Sequence, residues 1–129
     1  MDKHAAYTIV VAYEEGPRPR FVVVRHPQRG WELPGGGLNA DEDPVRGAQR
    51  EFREETGRPL EAARLVLSEL RHNGQCHVVT GRAGEELEAP TDASVAEVRL
   101  VHHLSQVAPL AFPHDPYERI EKALGTRIF

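Results

Sequence analysis

The sequence of 129 residues contains a single cysteine, Cys76, and few aromatic residues, which make up 6% of the chain. One cysteine excludes an intramolecular disulfide framework and a zinc site built from cysteines alone. It also favours a reducing compartment. Cys76 lies within an apolar strand pattern and is expected to be a small buried side chain. The length fits one domain over residues 1–129.

Long hydrophobic runs and an excess of positive charge are also missing. The apolar runs at residues 9–12 and 21–24 are far shorter than a membrane span. Residues 1–4 have no signal-peptide layout behind them. These features predict a cytoplasmic protein with no membrane partner. The net charge of -4 disfavours a general nucleic-acid surface. A homodimer is compatible with the sequence, which carries no signal for or against it.

Apolar, β-branched runs separated by turn residues predict about five strands. The candidate runs are residues 5–13, 19–26, 31–34, 65–70, 76–80 and 95–101. The glycines at 35–37 are expected to interrupt regular structure, and residues 81–92 to form a loop. Residues 104–110 and 115–124 have helical patterns. The mixed order predicts an α+β fold, an α/β/α sandwich with a mixed sheet.

The clearest helix signal covers residues 43–56. Asp43 is a favourable N-cap residue, Pro44 suits the first helical position, and Gly57 suits the end. Residues at helical spacing form one apolar stripe: Val45, Ala48 and Phe52.

Three acidic residues share one face of this helix, because Glu51, Glu54 and Glu55 stand at positions i, i+3 and i+4. The apolar stripe lies beside them, so these carboxylates would sit at the edge of the core. Like charges placed there repel each other and lose solvation. A hard divalent cation with oxygen ligands removes both problems. The preceding glycines would let backbone groups approach a ligand.

Residues 36–57 resemble the Nudix box of the Nudix hydrolases, and in particular MutT-like proteins. The box pattern is G-x5-E-x7-R-E-U-x-E-E-x-G-U, where U is bulky and apolar. Its positions are filled here by Gly36, Glu42, Arg50, Glu51, Phe52, Glu54, Glu55 and Gly57. Two positions depart from the family: Arg58 replaces an aliphatic residue, a place that Leu60 is expected to fill, and Asp41 stands where glycine is common.

The resemblance implies the sandwich fold and hydrolysis of a nucleoside diphosphate linked to another moiety, with Mg²⁺ or Mn²⁺. It implies that Glu54, Glu55 and the carbonyl of Gly35 are metal ligands. Glu51 would be a ligand or would handle the proton of the attacking water. Arg50 would orient the glutamates through bidentate pairing, and Glu42 would support this arrangement.

A general base late in the chain is also expected from the resemblance, and Glu97 is the candidate for it. The alternatives are Glu85, Glu86 and Glu88. Substrate contacts are predicted for Arg25, Trp31, Gly36 and Gly37, although Trp31 fits the hydrophobic core equally well.

The sequence has none of the accessory motifs of coenzyme A, ADP-ribose or diadenosine polyphosphate hydrolases. A nucleoside triphosphate pyrophosphohydrolase, including one that removes oxidised nucleotides, is therefore the first hypothesis. Dinucleoside polyphosphates, ADP-sugars and RNA 5′ ends are alternative substrates. A nucleotide-binding module without turnover is disfavoured because all the box glutamates are present. An acidic structural domain with an accidental match is the remaining alternative.

Overall fold

The computed structural model describes residues 5–129, so the signal-peptide prediction on residues 1–4 lies outside the described residues. Seven strands and two α-helices are present in that part of the chain. The elements are β1 (Ala6–Glu14), β2 (Arg20–His26), β3 (Gly30–Glu32), β4 (Gly35–Gly37), α1 (Pro44–Thr56), β5 (Leu60–Arg71), β6 (Gly74–Ala83), β7 (Glu97–Val101), a 3₁₀ turn (Leu104–Gln106) and α2 (Tyr117–Leu124).

The strands form one mixed sheet, in which β1 and β6 are parallel and the other pairs are antiparallel. β1 and β2 pair only through Tyr13 with Phe21 and Glu14 with Arg20. β3 then pairs with β2, while β4 pairs with the start of β1. β1 and β2 therefore diverge away from this short pairing. The segment between β3 and β4 lies across the gap between them.

A hydrophobic cluster lies on each face of the sheet, as the alternation of side chains along a strand requires. Val10 and Ala12 pack with Phe52 of α1 on one face. Val11 packs with Ile120 of α2 on the other. The predicted α/β/α sandwich with a mixed sheet is thus confirmed. Cys76 is fully buried, as predicted.

The ends of α1 are those that the sequence predicts. The Asp43 carboxylate accepts hydrogen bonds from the N–H groups of Val45 and Arg46, at 3.0 and 3.2 Å. Gly57 ends the helix with φ 74°, in the left-handed region that favours glycine. α1 is therefore fixed at both ends, so that its acidic face has a defined position on the sheet.

Several predicted boundaries are wrong. The glycines at 35–37 do not interrupt the sheet but form β4, because their backbone pairs with Tyr7–Ile9 of β1. A Cβ on Gly35 would overlap the carbonyl oxygen of Thr8, so this close pairing requires glycine. β5 begins at Leu60 and β6 extends to Ala83, into the predicted loop.

The predicted helix at 104–110 is also wrong, since only the short turn Leu104–Gln106 is helical. Pro109 has no N–H for a continuing helix. Among the described residues, no helix has the length and the apolar character needed to cross a membrane.

The two departures from the box pattern have structural consequences. Leu60 is buried in the cluster beneath α1, in the role expected of it. Arg58 instead donates hydrogen bonds to the carboxylate of Glu14 at 3.0 Å and to the carbonyl of Gly84, which ties the end of α1 to two strands. Asp41 adopts a positive φ of 60°, a conformation that is uncommon outside glycine.

Candidate active site

Glu55 connects the acidic face of α1 to β4. Its side chain is buried, and the residue is only 8% exposed. The Oε1 atom of Glu55 accepts a hydrogen bond of 2.8 Å from the N–H of Gly35. The structure therefore brings together two of the residues that the sequence predicts as metal ligands.

The charge of Glu55 is poorly compensated. Burial raises its pKa to about 8, against the opposing effect of the Gly35 hydrogen bond. The negative charges of Glu51, Asp92 and Glu32 raise this pKa further. Burial also raises the pKa of Glu51, although Arg50 opposes that shift. The carboxylates that meet the sheet are thus costly to ionise together unless a cation compensates their charge.

Gly36 lies directly against the carboxylate of Glu51. A Cβ built on Gly36 would lie 2.6 Å from the carboxyl carbon of Glu51, closer than real Cβ contacts. A Cβ built on Gly37 would meet nothing within 4 Å. Glycine is therefore needed at position 36 for the Glu51 carboxylate to lie beside β4. At position 37 a side chain would not disturb it.

Arg50 holds the acidic groups in position. Its guanidinium donates two hydrogen bonds of 2.9 Å to the carboxylate of Glu42. Further hydrogen bonds reach Glu51 at 3.1 Å, Glu54 at 3.3 Å and the carbonyl of Gly37 at 3.0 Å. The pairing with Arg50 lowers the pKa of Glu42 to about 2, so that this ion pair persists over the whole neutral range.

Asp92 belongs to the neighbourhood of this face and was not found from the sequence. The backbone N–H groups of Thr91 and Asp92 bind the carbonyl oxygen of Glu54, at 2.8 and 2.9 Å. The N–H of Leu87 likewise binds the carbonyl of Gly57. These contacts hold the segment that follows β6, residues 84–92, against the end of α1. No spacing in the sequence connects a residue of this loop to α1.

Other predicted site residues lie elsewhere. Glu97 of β7 pairs with Arg99 at 2.9 Å and with Arg25 at 3.4 Å. These arginines lower the pKa of Glu97. Glu97 shares a strand face with Val101, which packs on the side of α2 rather than α1. This pairing with two arginines does not favour Glu97 as the general base. The alternative candidate Glu88 is paired with Arg53 at 2.6 Å. The other two alternatives, Glu85 and Glu86, are exposed.

The placement of Trp31 and Arg25 gives no support to their predicted substrate contacts, which stay predictions. Trp31 is 4% exposed and belongs to the core on the α2 side, where the guanidinium of Arg99 lies 4.6 Å from the centre of its ring. Neither Trp31 nor Arg25 lines the cavity described next. Trp31 is enclosed by the core because alternate residues of β3 face opposite sides of the sheet.

A cavity of about 230 Å³ opens beside β4, and we call it the sheet cavity. Gly35 and Gly36 line it, and these two glycines also contact the carboxylates of Glu55 and Glu51, which do not themselves line the cavity. The other lining residues are Tyr7, Thr8, Ile9, Arg29, Glu32, Leu33, Arg71, Asn73, Phe112, Asp115 and Tyr117. This cavity is large enough to receive a planar organic group, and part of its wall is apolar.

The donor set fits a divalent cation in chemistry. Carboxylate oxygens dominate the face, and the buried Glu55 faces other acids with one backbone N–H as its hydrogen-bond donor. A cation would offset that burial and repulsion. Within residues 5–129, however, no three acidic, histidine or cysteine side chains are already grouped closely enough to hold an ion. Part of the reason is that Arg50 engages Glu51 and Glu54.

Comparisons with known proteins agree with this architecture. A model of the NUDIX domain matches residues 2–122. A MutT-like protein from Streptomyces ambofaciens is 46% identical over 58 residues, which cover 44% of this chain and 36% of that protein. An RNA pyrophosphohydrolase from Xanthomonas campestris pv. campestris is 47% identical over 49 residues, which cover 38% of this chain and 23% of that protein. The matches thus span little more than a third, or less, of these curated relatives.

A solved structure extends the likeness to the whole chain. The crystal structure of a NUDIX hydrolase from Nitrosomonas europaea superposes with a TM-score of 0.70 at 25% sequence identity, and the match covers 100% of this chain and 77% of that one. Members of the family generally use divalent metal ions. Since the domain model matches nearly the entire sequence and the fold agrees, the chain belongs to the NUDIX family.

Proposed function

We propose that this chain, as one NUDIX domain over residues 1–129, is a nucleoside triphosphate pyrophosphohydrolase of the cytoplasm. Water attacks a phosphorus atom of the triphosphate, the phosphoanhydride bond to the leaving group breaks, and a nucleoside monophosphate and pyrophosphate are released. The observation that carries the proposal is the junction at β4. There Gly35 and Gly36 contact the buried Glu55 and the partly buried Glu51 on one side and line the sheet cavity on the other.

In this proposal Glu51, Glu54, Glu55 and the carbonyl of Gly35 would hold Mg²⁺ or Mn²⁺. Such an ion would supply neutralisation of the pyrophosphate charge and activation or orientation of the water. The uncompensated charge around Glu55 supports this assignment, and the acidic face would repel a triphosphate that carries no cation.

The chain's own groups orient the reactants and take up the proton. Glu51 lies against Gly36, a residue that lines the cavity, and accepts the proton of the attacking water. Glu97 is the alternative base, although its pairing with two arginines supports it less. Arg50, anchored by Glu42, positions the Glu51 and Glu54 carboxylates and does not itself contact substrate.

A 5′-triphosphorylated RNA is the second candidate substrate, since it contains the same bond. The similarity to the Xanthomonas RNA pyrophosphohydrolase favours it. The net charge of -4 counts against a strand-binding surface. A nucleotide sensor without turnover is a further alternative within the same fold.

The test is a substrate panel with purified protein and Mg²⁺ or Mn²⁺, with products resolved by chromatography. The panel contains the nucleoside triphosphates, 8-oxo-dGTP, ADP-ribose, diadenosine tetraphosphate and a 5′-triphosphorylated RNA oligonucleotide. We expect the triphosphates to be cleaved to monophosphate and pyrophosphate, and a chelator to abolish cleavage. Faster cleavage of the RNA would select the second candidate. No cleavage of any compound would contradict the proposal and favour the sensor.

A further inference from the structure

Arg71, one of the residues that line the sheet cavity, carries a buried hydrogen-bond donor that is unused. This last residue of β5 lines the cavity, and its side chain is only 9% exposed. Its Nε donates to Glu69 at 2.8 Å and its Nη1 to Asp115 at 3.3 Å. Its Nη2 is buried and has no hydrogen-bond partner among residues 5–129. Buried polar groups are nearly always paired, so this atom points to a missing acceptor.

The charge of the guanidinium is already balanced by protein groups. Glu69 and Asp115 both pair with Arg71. Arg119 pairs with Glu69 in turn, at 3.0 and 2.7 Å, which gives a cluster of two positive and two negative side chains. A cluster without net charge favours a neutral acceptor, such as a carbonyl oxygen, over a phosphate. The phosphates have their place at the other end of the cavity, beside Gly35 and Gly36.

The remaining polar groups of the wall narrow the choice. Glu32, the other acid that lines the cavity, is paired with Arg29 at 2.6 Å. The amide oxygen of Asn73 accepts a hydrogen bond of 2.9 Å from the hydroxyl of Tyr7. The carboxylates and the amide oxygen of the wall are therefore engaged, while the Nη2 of Arg71 still offers donors.

The walls beside Arg71 suit a flat ring. They include three aromatic side chains, Tyr7, Phe112 and Tyr117, and two aliphatic ones, Ile9 and Leu33. Aromatic and aliphatic surfaces of this kind bind the faces of a heteroaromatic base.

We propose that Arg71 determines base specificity, with its Nη2 donating to the O6 and N7 acceptor edge of a 6-oxopurine in the sheet cavity. Guanine and hypoxanthine present two neighbouring acceptors there, whereas adenine presents an amino donor beside N7. With adenine in the cavity, one N–H group of Arg71 would face the amino group and would have no acceptor. This inference rests on the proposed function in treating a purine nucleotide as the substrate.

ITP and ATP are the matched substrates for the test, because hypoxanthine and adenine differ in the group at C6 and in the N1 proton that accompanies it. We expect kcat/KM for ITP and GTP to exceed that for ATP by about 10-fold or more. In Arg71→Lys, which keeps the charge but lacks Nη2, the ITP-to-ATP ratio should fall towards one, mainly through a higher KM for ITP. Arg119→Lys is the matched control, since Arg119 pairs with the same Glu69 but does not line the cavity. It should keep the wild-type ratio.

A binding measurement separates this inference from the proposed function. Dissociation constants of IMP and AMP are measured by calorimetry with the wild-type protein and both variants, without metal. Preferred binding of IMP that is lost in Arg71→Lys supports the inference even if no triphosphate is cleaved. Cleavage of triphosphates with equal kcat/KM for ITP and ATP overturns the inference and leaves the proposed function standing. If Arg71→Lys does not fold, equal binding of IMP and AMP by the wild-type protein overturns it.

Discussion

The acidic face of α1 and the sheet cavity meet at β4, but they are built in different ways. The acidic face comes from one continuous stretch, residues 36–57, plus the approach of Asp92. The cavity collects residues from β1, β3, β4, the end of β5 and the segments around α2. A reaction common to many substrates can thus be encoded locally, while the choice of substrate depends on distant segments that can change independently.

Gly36→Ala should have the largest effect of the variants that perturb the acidic face without removing a carboxylate. The added Cβ would lie 2.6 Å from the Glu51 carboxyl carbon, so the flexible carboxylate must move. A displacement of this size in a catalytic group lowers kcat by about 100-fold. The matched control is Gly37→Ala, where the added atom meets open space and steady-state kinetics should stay close to wild type. Equal rates for both variants would contradict the placement of Glu51.

Arg50→Lys tests whether the hydrogen bonds that Arg50 donates to the carboxylates, rather than its charge alone, are needed for activity. A lysine keeps the charge but cannot make the two parallel hydrogen bonds to Glu42. We expect kcat to fall by about 10- to 100-fold, with little change in the GTP-to-ATP ratio, because the cavity is untouched. Arg53→Lys, on the same helix but paired with the exposed Glu88, is the control. A change in base preference in Arg50→Lys would break the separation between the two regions.

The pH dependence of stability tests the electrostatics of the acidic face. The pKa of Glu55 is about 8 in the folded protein, above the ordinary 4.5, so the folded state holds a proton that the unfolded state has released. Its contribution to stability is present below pH 4.5 and is lost as the pH rises to about 8, by at most about 5 kcal/mol.

Thermal unfolding in chelator from pH 5 to pH 8 measures this contribution as the difference between wild type and Glu55→Gln. The Tm of the wild type should fall more than that of the variant, and Mg²⁺ should restore it at pH 8 only in the wild type. Parallel Tm curves for the two proteins would show that Glu55 is not held in an uncompensated environment.

Glu97→Gln should have the smallest effect. Glu97 is about half exposed and paired with Arg25 and Arg99 on the α2 side of the sheet. We therefore expect kcat/KM to stay within about 2-fold of wild type, since exposed ion pairs contribute little. A loss of more than 10-fold in kcat at unchanged Tm would return the role of general base to Glu97.

The sequence predicted α1 and its acidic face well because the signals are local. The cap at Asp43, the stop at Gly57 and the spacing of Glu51, Glu54 and Glu55 each depend on neighbours within one or two helical turns. The family resemblance added Arg50 and Glu42 at fixed spacing, and the structure pairs them.

The features that were missed depend on contacts between distant segments. The sequence alone predicts a break at Gly35–Gly37, because the pairing of this segment with β1 cannot be seen in a run of glycines. Asp92 reaches α1 only through backbone hydrogen bonds of its loop. In the sequence Arg71 is a charged residue close to a turn, yet the fold buries its side chain in the lining of the cavity. In these cases tertiary pairing decided the outcome.

Glu55→Gln is the most direct test of whether the acidic face of α1 hydrolyses the nucleotide. Glutamine keeps the oxygen that accepts the Gly35 N–H and removes the charge, so the fold should persist. Pyrophosphate release from GTP in Mg²⁺ should fall by at least about 1,000-fold, while the Tm in chelator at pH 7 stays at or above that of the wild type. Wild-type turnover by a folded Glu55→Gln protein would contradict the account.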